Sequence, residues 1–118
     1  MAIRLKRAYD PPAEEDGYRV LVDRIWPRGV TKERLRIHAW LKDIAPSAEL
    51  RTWFGHDPAR WAAFRQRYAD ELSQQADAVG HILRKVKEGP VTLVYGAKDP
   101  EHNNAVALML YLTRRSDR

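Results

Sequence analysis

The sequence contains no cysteine among its 118 residues. This absence excludes disulfide bridges, thiolate nucleophiles, cysteine-based zinc sites and iron–sulfur ligation. No apolar run approaches the roughly 20 residues that a membrane-spanning helix needs. Residues 1–7 also lack the unbroken apolar stretch of a signal peptide. We therefore expect a cytoplasmic protein that does not enter a membrane.

The chain has six glycines and seven prolines, while 44% of it is hydrophobic and 31% is charged. This is the composition of a globular protein, and its length predicts one domain over residues 1–118. The net charge of +5 and the pI of about 9.7 favour an acidic partner. However, eleven of the 21 basic residues lie in residues 1–51 among eight acids. A basic solvated surface explains this spread as well as a nucleic-acid partner does.

Three apolar segments have the pattern of β-strands. Residues 2–7 alternate apolar and basic side chains, which predicts a half-buried strand near a sheet edge. Residues 18–22 and 91–95 are nearly continuous apolar runs, as expected for buried strands. Because a long helical segment connects the latter two, they are able to pair in parallel. The direction of the first strand stays open.

Helix start and stop signals divide the remaining chain. Predicted N-caps are Thr31, Ser47, Asp57, Asp77 and Asp99. Two glycines, Gly55 and Gly89, end helices. One helix carries an apolar stripe that predicts core packing: Trp61, Phe64, Tyr68 and Leu72. Together these signals predict a small three-layer (αβα) domain of the α/β class. It has a short, mostly parallel sheet of about three strands and four to five helices.

Charged side chains follow the buried strand of residues 18–22. Asp23 and Arg24 come directly after it, and a second guanidinium follows in a Trp-Pro-Arg-Gly turn. The carboxyl ends of parallel strands are where ligands bind in open α/β sheets. A helix that begins just after the strand of residues 91–95 would also favour a bound anion, because its first backbone N–H groups are free and its dipole is positive at that end. The sequence therefore predicts an anion site made by Arg24, Arg28, Lys98 and Asn103.

Three residues are candidates for acid–base chemistry at the same edge: Asp23, His56 and His102. None of the four histidines forms a pair at helical spacing, so we predict neither a metal site nor a cofactor. A purely structural interpretation competes with this one. In that interpretation Asp23 pairs with Arg24, Arg28 or Lys98 as an ion network, and Asp99 is only a helix cap.

The leading functional hypothesis is binding of an anionic small molecule or a nucleotide, with catalysis left open. The first alternative is nucleic-acid binding through the positive charge and exposed aromatic residues. Four aromatics interleaved with arginine suit that role, although core packing explains them equally well: Tyr9, Trp26, Trp40 and Trp53. The second alternative is a non-catalytic interaction module with a structural ion-pair network.

Three motifs, in residues 22–29, 45–54 and 92–99, resemble those of the YeaO-like proteins of the DUF-488 superfamily. The resemblance extends over essentially the whole chain and implies a small bacterial cytosolic α/β domain. Longer relatives carry cysteine near the positions of Tyr95 and residues 102–104. Since this chain has no cysteine, the resemblance implies no thiol or metal chemistry here and brings no catalytic assignment.

Overall fold

One parallel sheet lies at the centre of the computed structural model, which describes residues 2–116. Its strands are β1 (Ile3–Arg7), β2 (Tyr18–Leu21), β3 (Ala39–Trp40) and β4 (Val91–Tyr95). Their order is β1-β4-β2-β3, and every neighbouring pair is parallel. β2 and β4 pair in parallel, as the length of their connection allows, and β1 is a parallel edge strand.

Within residues 2–116, five α-helices accompany the sheet: α1 (Lys32–Leu35), α2 (Ala48–Phe54), α3 (Trp61–Leu72), α4 (Ala76–Glu88) and α5 (Asn104–Ser116). Single 3₁₀ turns cover Glu14–Asp16, Lys42–Ile44 and Pro58–Arg60. The predicted α/β class is confirmed, with one strand more than expected because Ala39 and Trp40 pair with the end of β2. Among the helices described, none has both the length and the apolar character to cross a bilayer.

Several predicted helix starts are confirmed by their hydrogen bonds. Thr31 and Ser47 each accept a bond from the backbone amide three residues later, at 3.2 and 3.1 Å. Asp57 accepts one from the amide two residues later, at 3.0 Å, and opens the 3₁₀ turn before α3. Gly55 ends α2 with the left-handed φ of 54° that glycine tolerates.

Two predicted caps are wrong. Asp77 lies inside the first turn of α4, whose N-cap makes no side-chain hydrogen bond. Asp99 does not start α5, because its carboxylate closes a turn by accepting from the amides two and three residues later. The helix begins at Asn104, where the Oδ1 of Asn103 accepts from the amide three residues later at 2.9 Å.

The two faces of the sheet pack against different partners. The large core lies between one face of the sheet and helices α2 to α5, and the predicted stripe on α3 belongs to it. Its residues Phe64, Tyr68 and Leu72 are 2%, 1% and 1% exposed. Burial of each such side chain contributes about 1.5–3 kcal/mol to folding. A smaller cluster around Leu21 and Leu35 covers the opposite face.

A buried ion-pair network lies on that opposite face. Arg19 Nη1 is 2.6 Å from Asp16 Oδ2, and both side chains are 3% exposed. Lys6 Nζ is 2.9 Å from the other carboxylate oxygen. Burial acts to raise the pKa of Asp16, but hydrogen bonds from Lys6, the Ala13 amide and Arg19 hold it below its ordinary value. This network stabilises the loop before β2.

Candidate functional site

A cleft of about 300 Å³ opens where β2 and β4 end. Because both strands run in the same direction, the loops that follow them meet at this edge. Helices α2, α3 and the start of α5 form the other walls. The lining residues are Asp23, Arg24, Ile25, Ala45, Pro46, Arg51, Phe54, His56, Phe64, Ala97, His102, Asn103 and Asn104.

Asp23 is the acidic group of the cleft. Its Oδ2 accepts a hydrogen bond from the Gly96 amide at 2.8 Å, and its Oδ1 accepts one from Asn104 Nδ2 at 3.0 Å. Burial raises the pKa of Asp23 above its ordinary value. The two hydrogen bonds and the positive charge of Arg51 offset only part of that rise. The group is therefore a carboxyl whose charge the protein only partly stabilises.

Two guanidinium groups line the cleft. Arg24 follows β2 as predicted, whereas Arg51 comes from α2 and was missed in the sequence. The sequence did contain a sign of this position. Arg51 lies three residues before buried Phe54 in the same helix, so the two side chains occupy neighbouring positions on one helix face. Within the described residues, neither guanidinium donates a hydrogen bond or forms an ion pair, and both are exposed.

Two predicted anion-binding residues, Arg28 and Lys98, lie outside the cleft lining. Arg28 belongs to a loop that is tied to the other face of the sheet by Trp26, which packs in the smaller cluster. The Nε1 of Trp26 donates to the Val30 carbonyl at 2.6 Å and thereby closes that loop. Neither cation bonds to Asp23, whose partners among the described residues are Gly96 and Asn104. The ion network considered for Asp23 is absent from its described contacts.

Both predicted histidines line the cleft. The Nδ1 of His102 lies 3.0 Å from Asp99 Oδ2, and its ring meets Trp61 edge-on with 5.3 Å between centroids. Hydrogen bonds hold the pKa of Asp99 below its ordinary value. The bond from the Glu101 amide has the larger effect, and the bond with the His102 side chain comes next. His56 has a left-handed φ of 57°, which is rare for a residue with a side chain.

Asn103 also lines the cleft, but both ends of its amide are engaged. Its Nδ2 donates to the Asp99 carbonyl at 2.8 Å, and its Oδ1 caps α5. The residue is 3% exposed. It therefore holds the turn that carries His102 in place. Across the described part of the chain, no three His, Asp or Glu side chains converge in a way that suits a metal ion.

The sequence matches a family model over residues 2–118, and that model describes an inactive DUF488-N3 subclade. This chain belongs to the DUF488 family. The resemblance seen in the three sequence motifs is thus confirmed. The DUF488 assignment covers every residue that lines the cleft.

Several relatives of similar length match this chain over almost their whole length. The uncharacterized protein YeaO of Escherichia coli K12 is 43% identical over 112 residues, which cover 95% of this chain and 97% of YeaO. The uncharacterized protein Rv3073c of Mycobacterium tuberculosis H37Rv is 39% identical over 113 residues, with 96% and 95% covered. The uncharacterized Mycobacterium bovis protein Mb3100c matches to the same extent. No solved structure matches this DUF488 chain.

Proposed function

We propose that the cleft binds a small molecule that carries an anionic group. The observation that carries this proposal is the pair Arg24 and Arg51, two exposed guanidiniums in one cleft without a hydrogen bond inside the described residues. Arginine suits carboxylates and phosphates because its planar fork donates two parallel hydrogen bonds. A ligand anion would supply the acceptors that these groups lack.

The rest of the wall suits an apolar ligand body. Phe54 and Phe64 stack with 4.4 Å between ring centroids and are joined in the lining by Pro46, Ala97 and Ile25. Binding pockets for small molecules are mostly apolar, with a few polar groups that fix orientation. The volume of about 300 Å³ is sufficient for a compact molecule.

Binding without turnover is the form of the function that we favour. The matching family model describes an inactive subclade. The acid–base candidates Asp23, His56 and His102 then serve as ligand contacts, with their hydrogen-bonding capacity used for recognition.

The nucleic-acid alternative has less support because its aromatic platform is engaged elsewhere. Trp26 and Trp40 pack edge-to-face with 5.4 Å between centroids, and each Nε1 donates to a backbone carbonyl. Trp53 lies beneath two guanidiniums, those of Arg60 and Arg67, at 5.3 and 4.0 Å. Stacking of bases needs free ring faces, and of these aromatics only Tyr9 is largely exposed, at 43%.

A titration followed by backbone amide NMR tests the proposal, with inorganic phosphate, adenosine monophosphate and 3-phenylpropionate as probes. We expect shifts at residues 23–25, 51–56 and 96–104. Arg24→Ala and Arg51→Ala are each expected to weaken binding about tenfold, since a charged hydrogen bond is lost. Arg28→Ala is the matched control, because Arg28 lies in the same loop as Arg24 but outside the cleft. Equal losses in Arg24→Ala and Arg28→Ala, or no shifts with any anion, would contradict the proposal.

A further inference from the structure

We infer that the ligand is a zwitterionic amino carboxylate with an apolar side chain. Its ammonium group lies against Asp23, and its carboxylate lies on Arg24 and Arg51. Its side chain packs on Phe54 and Phe64. This inference rests on the proposed function and adds the second charge that the ligand carries.

Asp23 has room for a further hydrogen-bond donor. Each of its oxygens accepts one hydrogen bond from the protein, from Gly96 and Asn104 respectively. An ionised carboxylate has about four acceptor positions, so about two remain. The residue lines the cleft, and no cation of the described chain lies within ion-pair distance of it. A ligand ammonium would supply a cation in direct contact with Asp23, whereas Arg51 acts on it from beyond ion-pair distance.

The balance of charges also favours a zwitterion over a phosphate. Besides its two histidines, the cleft lining combines one carboxylate, Asp23, with the guanidiniums of Arg24 and Arg51. A dianionic phosphate would lie close to the negative charge of Asp23 and be repelled by it. An amino carboxylate would place its ammonium against Asp23 and its carboxylate against Arg24 and Arg51, so that each contact joins opposite charges. Both ends of such a ligand therefore gain from the same arrangement.

The apolar part of the lining specifies the third portion of the ligand. Phe54 and Phe64 are buried, at 5% and 2% exposure, and stack as the aromatic surface of the cleft. Ile25 is 66% exposed beside the charged groups and also lines the cleft. A ligand side chain that packs between Ile25 and these rings would remove the exposed apolar surface of Ile25 from water. This favours an aromatic or branched aliphatic amino acid.

Four probes, three of them with matched parts, test the inference by calorimetry or NMR at pH 7. They are L-phenylalanine, 3-phenylpropionate without the ammonium, 2-phenylethylamine without the carboxylate, and adenosine monophosphate. We expect L-phenylalanine to bind about tenfold tighter than either truncated probe, because each lacks one charged contact.

The outcomes separate this inference from the proposed function. Equal affinity for L-phenylalanine and 3-phenylpropionate, or tighter binding of adenosine monophosphate, overturns the amino carboxylate while leaving an anion-binding cleft. Binding of none of the probes overturns both. A preference for the zwitterion supports both.

A variant locates the ammonium contact. Asp23→Asn is expected to abolish the preference for L-phenylalanine over 3-phenylpropionate, because the neutral amide no longer attracts the ammonium. Arg28→Ala is expected to retain the preference. Circular dichroism and the melting temperature check that the variants fold. If Asp23→Asn does not fold, the comparison of probes on the unaltered protein decides the inference. A preference that persists in folded Asp23→Asn overturns the inference.

Discussion

The Asp23 carboxylate accepts a hydrogen bond from the Gly96 amide over 2.8 Å and thereby joins the ends of β2 and β4. The strand register brings them together, because Leu21 lies opposite Val94 and each of the two residues follows its strand partner by two positions. A Cβ on Gly96 would lie 3.2 Å from Asp23 Oδ2. The absence of a side chain at residue 96 therefore allows this approach.

The substitution Gly96→Ala is expected to destabilise the protein by about 1 kcal/mol, since a close backbone approach is disturbed. Chemical denaturation measures this change. Gly89→Ala is the matched control, because a Cβ there meets no atom within 4 Å. Its expected effect lies within about 0.5 kcal/mol. Equal losses in the two variants would show that the contact at Asp23 is not the cause.

The substitution Asn104→Ala is expected to raise the pKa of Asp23 further. The Asn104 amide now donates to Asp23 Oδ1 and to the Val22 carbonyl, at 3.0 and 3.1 Å, and the first of these bonds favours the ionised carboxylate. We also expect a loss of about 1–2 kcal/mol in stability, because buried acceptors lose their donor. Carboxyl carbon NMR across a pH series measures the pKa. An unchanged or lower value in the variant would contradict this account.

We expect Asp23 to make the free energy of unfolding decrease as pH rises through its titration range. Its folded-state pKa lies above the ordinary value of 3.8, so the folded state holds the proton more tightly than the unfolded state does. Stability therefore decreases as pH rises from 3.8 through the folded-state pKa. Urea unfolding of the native chain and of Asp23→Asn, measured across this window, isolates the component as their difference. A difference that is constant with pH would refute it.

The substitution Asp16→Asn is expected to destabilise the fold by about 3 kcal/mol at pH 7, because the buried guanidinium of Arg19 loses its charge partner. The pKa of Asp16 is lowered in the folded state, so its contribution is present above the ordinary value of 3.8. It is lost as pH falls through the folded-state pKa. Urea unfolding is therefore expected to show a smaller difference between the two chains in acid. Glu15→Gln is the control, because the neighbouring Glu15 side chain is exposed and makes no ion pair among the described residues.

Local patterns were enough to predict much of the fold. The caps at Thr31 and Ser47 and the stop at Gly55 depend on hydrogen bonds within a few residues, and all three are confirmed. Asp99 shows where local reasoning ends. Its carboxylate forms a turn with the neighbouring amides, while Asn103 caps the helix that follows. Two acceptors so close in sequence compete, and their relative positions decide which one caps.

The sequence by itself determined that β2 and β4 are buried strands whose long connection allows parallel pairing, and that Asp23 and Arg24 directly follow β2. Only the tertiary structure decided which groups share the cleft. It turned the loop of Arg28 to the other face of the sheet through Trp26, and it docked α2 so that Arg51 lines the same cleft as Asp23. The physical reason is that these contacts join residues far apart in sequence, where packing of whole elements sets the distance.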